Sequence, residues 1–316
     1  MTDKNDQSIN QIEDQYPLPI ALKISQIQRQ RELGNYSVCY YQLSYLYEFI
    51  IRYLTAIVLS MVYTHIKEIM EYEAGRELDK YIREKISEPR LRICIEILYQ
   101  AGNLVRYLPT SFMEELFTFV EKDKELHRLE RPLNYYTKSK QLSMSEMKEW
   151  EYREESEEYL AEVLKVLKLI PFIADYPLVR LIVEVEGEEN WKAEKMSQQP
   201  ELLDERIQLQ EPEEDLLSIK DGWDIEPGML GVYNKAKETF LGLRPFALFE
   251  ECIQCRFERR NYHNDFFLYQ GQHSNDAIFL GAAETPEHEP HRRLISLNFF
   301  LRLRWDGEDR EVEPGE

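Results

Sequence analysis

The stretch Pro171 to Val185, PFIADYPLVRLIVEV, is where the chain changes character and where its fold class is decided. Pro171 ends or kinks a helix that reaches it from upstream, and at Tyr176 the pattern changes. From Leu178 onward, aliphatic and β-branched residues alternate with polar ones, the pattern of a strand. Helical periodicity dominates before this point and short strand signals after it. The sequence therefore predicts an α+β protein: an N-terminal all-α antiparallel helical bundle followed by a C-terminal antiparallel β-rich domain, with the boundary near residue 177.

Upstream, Ser145 to Ile170 reads as one helix. Tyr152, Tyr159, Val163, Val166, Leu167 and Ile170 share a face, while Glu154, Glu155, Glu157, Glu158, Lys165 and Lys168 take the rest as a solvated face. Further helices are expected between Gly75 and Ile86, Leu91 and Tyr107, and Ser111 and Leu129, punctuated by Pro89, Pro109 with Thr110, and Pro132. A longer helix carries Leu43, Leu46, Tyr47, Ile50, Leu54, Ile57, Val58 and Met61 and is apolar nearly all round, which places it at the centre of the bundle. Its most apolar part, Tyr53 to Ile66, lies between Glu48 with Arg52 and Lys67 with Glu68. That span falls short of the ~20 residues a membrane helix needs. Before it, Ile20 to Leu33 is a short amphipathic helix stopped by Gly34-Asn35, and residues 1–16 read as a mobile polar arm.

Downstream, the acidic region from Glu184 to Gly222 reads as hairpins with a long loop, including a short alternating piece at Arg206 to Leu209. Strands are expected at Met229 to Asn234, Thr239 to Glu251, Asp265 to Gln270, Ala277 to Gly281 and Ile295 to Trp305, forming a small antiparallel sheet or open barrel. The division is thus an arm over 1–16, a bundle over 17–176, a β-rich domain over 177–305 and a disordered acidic tail over 306–316.

A chain of 316 residues fits two domains, each with its own core. The net charge of -20, from 59 acidic and 39 basic residues, repels a phosphate backbone, so nucleic acid is disfavoured as a bulk partner. Twenty tyrosines suit half-buried helix faces and protein interfaces, pointing to a protein partner or a homo-oligomer. The opening residues lack the pattern of a secretory signal, which implies the cytoplasm and four reduced cysteines. There is no P-loop, GxGxxG, GxSxG, HExxH or kinase signature, so no catalytic residue is assigned.

Two local patterns carry possible chemistry. Cys252 and Cys255, two residues apart, offer soft sulfur donors suited to zinc, and His288 and His291 supply a second pair, with His263 and His273 nearer in sequence. The alternative is that both cysteines pack at a strand end and the histidines are solvated loop residues. Arg256, Arg259 and Arg260, beside Tyr262, form a basic cluster able to contact phosphate or stacked RNA bases. Arginines of an acidic protein also pair with its own carboxylates, Glu250 and Glu251 being within reach across strands.

The segment His127-Arg128-Leu129-Glu130-Arg131-Pro132-Leu133-Asn134-Tyr135-Tyr136, ahead of a long amphipathic helix, resembles a degenerate version of the HEPN bundle of bacterial conflict and defence proteins. In that family an arginine and a histidine a few residues later cut RNA in a dimeric cleft. Here Arg131 matches the arginine, Pro132 replaces the polar neighbour, and Tyr135 or Tyr136 stands in the histidine's place. The resemblance implies a bundle and a dimer without the acid/base residue, with Arg131, Asn134, Tyr135 and Tyr136 as RNA-contacting candidates. Leu243 to Cys252 and the Phe266-Phe267-Leu268-Tyr269 strand are similar to β modules that accompany such bundles in bacterial signalling proteins. The expectation is a noncatalytic adaptor or sensor subunit for protein association; the alternatives are an RNA-binding or RNA-processing protein and a zinc-stabilised β interaction module.

Overall fold

The computed structural model describes residues 12, 15–88, 90–102, 104, 112–120, 127–141, 147–186, 188–196, 201–203, 208–209, 229–237, 239–244, 246–252, 255, 264–274, 276–284 and 290–296. The chain is α+β as the sequence predicts, with helices up to Leu169 and strands after it that pair antiparallel except for the short parallel ladder of Gln208 and Leu209 with Thr239 and Phe240.

Helix α1 (Leu18–Glu32) starts behind Pro17 and stops at Gly34, whose φ of 75° is one that glycine adopts without strain. Helix α2 (Tyr36–Thr64) is the axis of the bundle. Every residue from Leu46 to Tyr63 is buried, because α5 (Leu91–Gly102), α7 (Leu133–Gln141), α8 (Glu149–Leu169) and α1 pack around it. Its length and apolarity would let it cross a membrane, yet 94% of that stretch is buried inside the protein, so it is a core helix. Two of its charges, Glu48 and Arg52, are buried one turn apart as an ion pair of 2.9 Å. Short α3 (Ile66–Met70) and α4 (Glu73–Lys85) follow a break at His65, and α6 (Glu114–Val120) leads toward α7. The sequence pattern did not separate α7 as a helix, because LNYYTKSKQ has no clear apolar stripe.

A 3-10 turn (Pro171–Asp175) delivers the chain to β1 (Leu178–Glu186), at the switch expected from Pro171 and the change of pattern at Tyr176. In the first sheet, β1 is flanked by β2 (Glu188–Lys195) and β5 (Leu230–Asn234). Beyond them lie β3 (Glu201–Leu203), β6 (Thr239–Gly242) and β4 (Gln208–Leu209), in the order β3-β2-β1-β5-β6-β4. The second sheet has the order β10-β9-β8-β7, from β7 (Ala247–Glu251), β8 (Asn264–His273), β9 (Asp276–Glu284) and β10 (Pro290–Ser296). The single strand expected over Thr239 to Glu251 is two strands in different sheets. The chain turns at Leu243, whose carbonyl accepts from the N–H groups of both Phe246 and Ala247, and Pro245 is the turn signal in the sequence.

Register shifts at Tyr269/Gly271 and at Pro290/Arg292 add twist to the second sheet, as bulges do. It curls until its edge strands meet: Arg293 on β10 reaches Glu250 on β7 at 3.1 Å. One continuous apolar cluster crosses from the bundle into the strands, in place of two separate cores. Phe266 of β8 lies 5.4 Å from the Phe49 ring on α2, and Phe246 stacks on Tyr63 at 5.8 Å. The end of the expected arm joins this cluster, with Ile12 buried and the Tyr16 hydroxyl donating to Leu167 O at 2.8 Å. The acidic tail over 306–316 lies outside the described residues.

Candidate metal centre

Where the curled sheet closes, three chemically soft groups converge. Cys252 directly follows β7, Cys255 comes three residues later, and His291 is the second residue of β10. Cys252 Sγ lies 3.2 Å from His291 Nδ1, and Cys255 Sγ lies 3.5 Å from His291 Nε2. The three donor atoms fall within 4.8 Å of one another, and the residues are only 1%, 4% and 1% exposed. Strand pairing alone would not bring β7 and β10 together, since they are opposite edges of the sheet; the curl does so. His291 sits where the β9–β10 ladder slips between Pro290 and Arg292, a type of irregularity that re-aims side chains.

Two sulfurs and an imidazole are the donor set that zinc takes in tetrahedral centres, with bonds of about 2.3 Å to sulfur and 2.0–2.1 Å to nitrogen. Donors on one such ion stand roughly 3.5 Å apart by that geometry, and each sulfur here stands at a comparable distance from a different nitrogen of the ring. A fourth buried polar group, Asp265 on β8, has Oδ2 3.5 Å from His291 Nδ1. The other two cysteines are placed differently. Burial pushes the Cys39 thiol up to about 12, with Arg31 only partly opposing it, and its Sγ donates to Ile27 O. Burial likewise raises Cys94, which sits against Arg52.

The structure thus brings Cys252, Cys255 and His291 together. His291 is a buried strand residue, not the solvated loop residue of the alternative reading. His288, His263, Arg256, Arg259 and Arg260 lie outside the described residues. His273 ends β8 at the far end of the strand from Asp265. Asp265 was not singled out from sequence; an Asn-Asp pair before an aromatic run reads as an ordinary strand start.

In the bundle, Arg131 and Asn134 are exposed at the start of α7. The two tyrosines beside them are engaged in packing. Tyr135 stacks on Tyr159 with centroids 5.0 Å apart and donates to Glu158 at 3.0 Å. The Tyr136 hydroxyl donates to Glu48 at 3.1 Å. Glu48 also accepts from Gln270 of β8 at 3.0 Å and faces Lys140 at 3.4 Å, and Arg52 donates to Gln270 O at 2.8 Å. Burial by itself would raise the Glu48 carboxyl, but Arg52, Lys140 and the Gln270 hydrogen bond outweigh it and hold it at about 2.

Comparison with known proteins gives no match: no protein-family model, no curated protein and no solved structure matches the chain. The likeness of the Arg131 segment to the HEPN motif therefore stands on its own residues.

Proposed function

We propose that this chain is a noncatalytic association protein of the cytoplasm whose curled sheet is clamped by a structural zinc ion at Cys252, Cys255 and His291. The observation that carries the proposal is the meeting of three buried donors of the zinc-preferring kind at the closure of the sheet. Burial of all three donors keeps substrate away from them, which favours a structural ion; a closed tetrahedral centre takes its fourth donor from a group other than these three. Tyr135 and Tyr136 are committed to packing, which weighs against their stacking on RNA bases. The association half draws support from Leu33 and Trp150, 63% and 61% exposed. The Tyr36 N–H, which donates to Glu149 at 3.0 Å, ties their two segments together at one end of the bundle.

Native mass spectrometry of the purified protein tests both halves. One zinc per chain is expected, lost in Cys252→Ser and Cys255→Ser, together with a dimer or a co-purifying partner. Protein that is metal-free after expression and takes up no added zinc would refute the clamp. Protein that stays monomeric and captures nothing would refute association.

A further inference from the structure

Asp265 stands beside the centre without being one of its three mutually close donors. It is 4% exposed, its Oδ1 accepts from the Phe266 N–H at 2.8 Å, and its Oδ2 faces His291. Strand β9 runs between Asp265 on β8 and His291 on β10, and at the crossing point it carries Gly281. A Cβ at 281 would collide with Asp265 Oδ2 and lie 3.1 Å from His291 Cβ. Only a residue without a side chain lets the carboxylate reach across an intervening strand to the imidazole.

We propose that Asp265 is the positioning residue of the metal centre, accepting the Nδ1–H of His291 so that Nε2, the nitrogen beside Cys255, becomes the metal ligand. This rests on the zinc reading above. A histidine binds one ion through one nitrogen, and the 3.5 Å between Cys255 Sγ and Nε2 matches two donors sharing a tetrahedral ion. Among the described residues, Cys252 Sγ at 3.2 Å and Asp265 Oδ2 at 3.5 Å both lie near Nδ1 and can accept its proton. Once the Cys252 thiolate is bound to a metal, its electron density is drawn to the ion and the carboxylate is the stronger of the two acceptors. Such a partner fixes the tautomer and ring orientation and makes the imidazole a stronger donor.

The test uses the full chain. Zinc affinity is measured by competition with a chromophoric chelator, and the visible spectrum of the cobalt-loaded protein reports the donor set. Asp265→Asn, which keeps an acceptor for the Phe266 N–H, is expected to bind zinc about 10–100-fold more weakly, with cobalt bands unmoved because the ligands are the same. Gly281→Ala, which displaces the carboxylate, is expected to weaken binding similarly. Glu250→Gln, which removes the Arg293 pair from the same closure, is expected to keep the wild-type affinity. Wild-type affinity in Asp265→Asn overturns the proposal. So do shifted cobalt bands, which make Asp265 a ligand, and an equal loss in Glu250→Gln, which makes the effect one of sheet closure. Wild-type protein that binds neither metal overturns the centre itself, and the role of Asp265 with it.

Discussion

Glu48 shows how a single carboxylate can be affordable in the middle of a buried helix: Arg52, Tyr136, Gln270 and Lys140 surround it, from α2, α7 and β8. Its acidity is shifted below the ordinary 4.5 to about 2, so the folded form holds its charge more readily than the unfolded chain does. The stability this supplies is complete above about pH 4.5 and is lost as the pH falls through about 2. Urea midpoints measured from neutral pH down should therefore drop across that window in the wild type. In Glu48→Gln the same component should be missing, and the protein should be weaker by about 3–5 kcal/mol at neutral pH, since Arg52 is left without its counter-charge. A wild-type midpoint that stays level through the window would contradict this account.

At the scale of elements, α2 holds the molecule together by burial. Leu54 is fully buried at its centre, and Leu54→Ala should cost roughly 2–5 kcal/mol in chemical denaturation. That helix was legible in the sequence because unbroken apolarity flanked by charges has few other soluble solutions. Pro171 and the change to alternating residues at Tyr176 likewise mark the helix-to-strand switch. The strand ends were harder. β10 begins at Pro290, five residues ahead of where the aliphatic run at Ile295 announces it, so His291 looked like part of a loop. The Cys252 and Cys255 pair could be read from its spacing, but its union with His291 depends on the curl of the sheet. That curl accompanies two register shifts in the ladders, a long-range geometry that no local pattern encodes. Asp265 was hidden for the same reason, its role depending on the gap at Gly281 one strand away.

Over the whole molecule, the shared core implies one unfolding event. Helical circular dichroism and the near-ultraviolet signal of the aromatic residues should disappear together on heating, because Phe49, Tyr53 and Phe266 interlock bundle and sheet. Free zinc at 100 times its dissociation constant should raise the stability of that single transition by about 2.7 kcal/mol, and two separated transitions would count against the shared core. The meeting of β7 and β10 has a further consequence. A strand at the margin of a sheet exposes unused N–H and C=O groups that can template the addition of a foreign strand. Among the described residues, the margins of the first sheet are β3 of three residues and β4 of two. In the second, the longer margins turn toward each other and are bridged by side chains. The side-chain contacts that hold this sheet closed thereby also leave its described margins facing each other, where a foreign strand has less room to add.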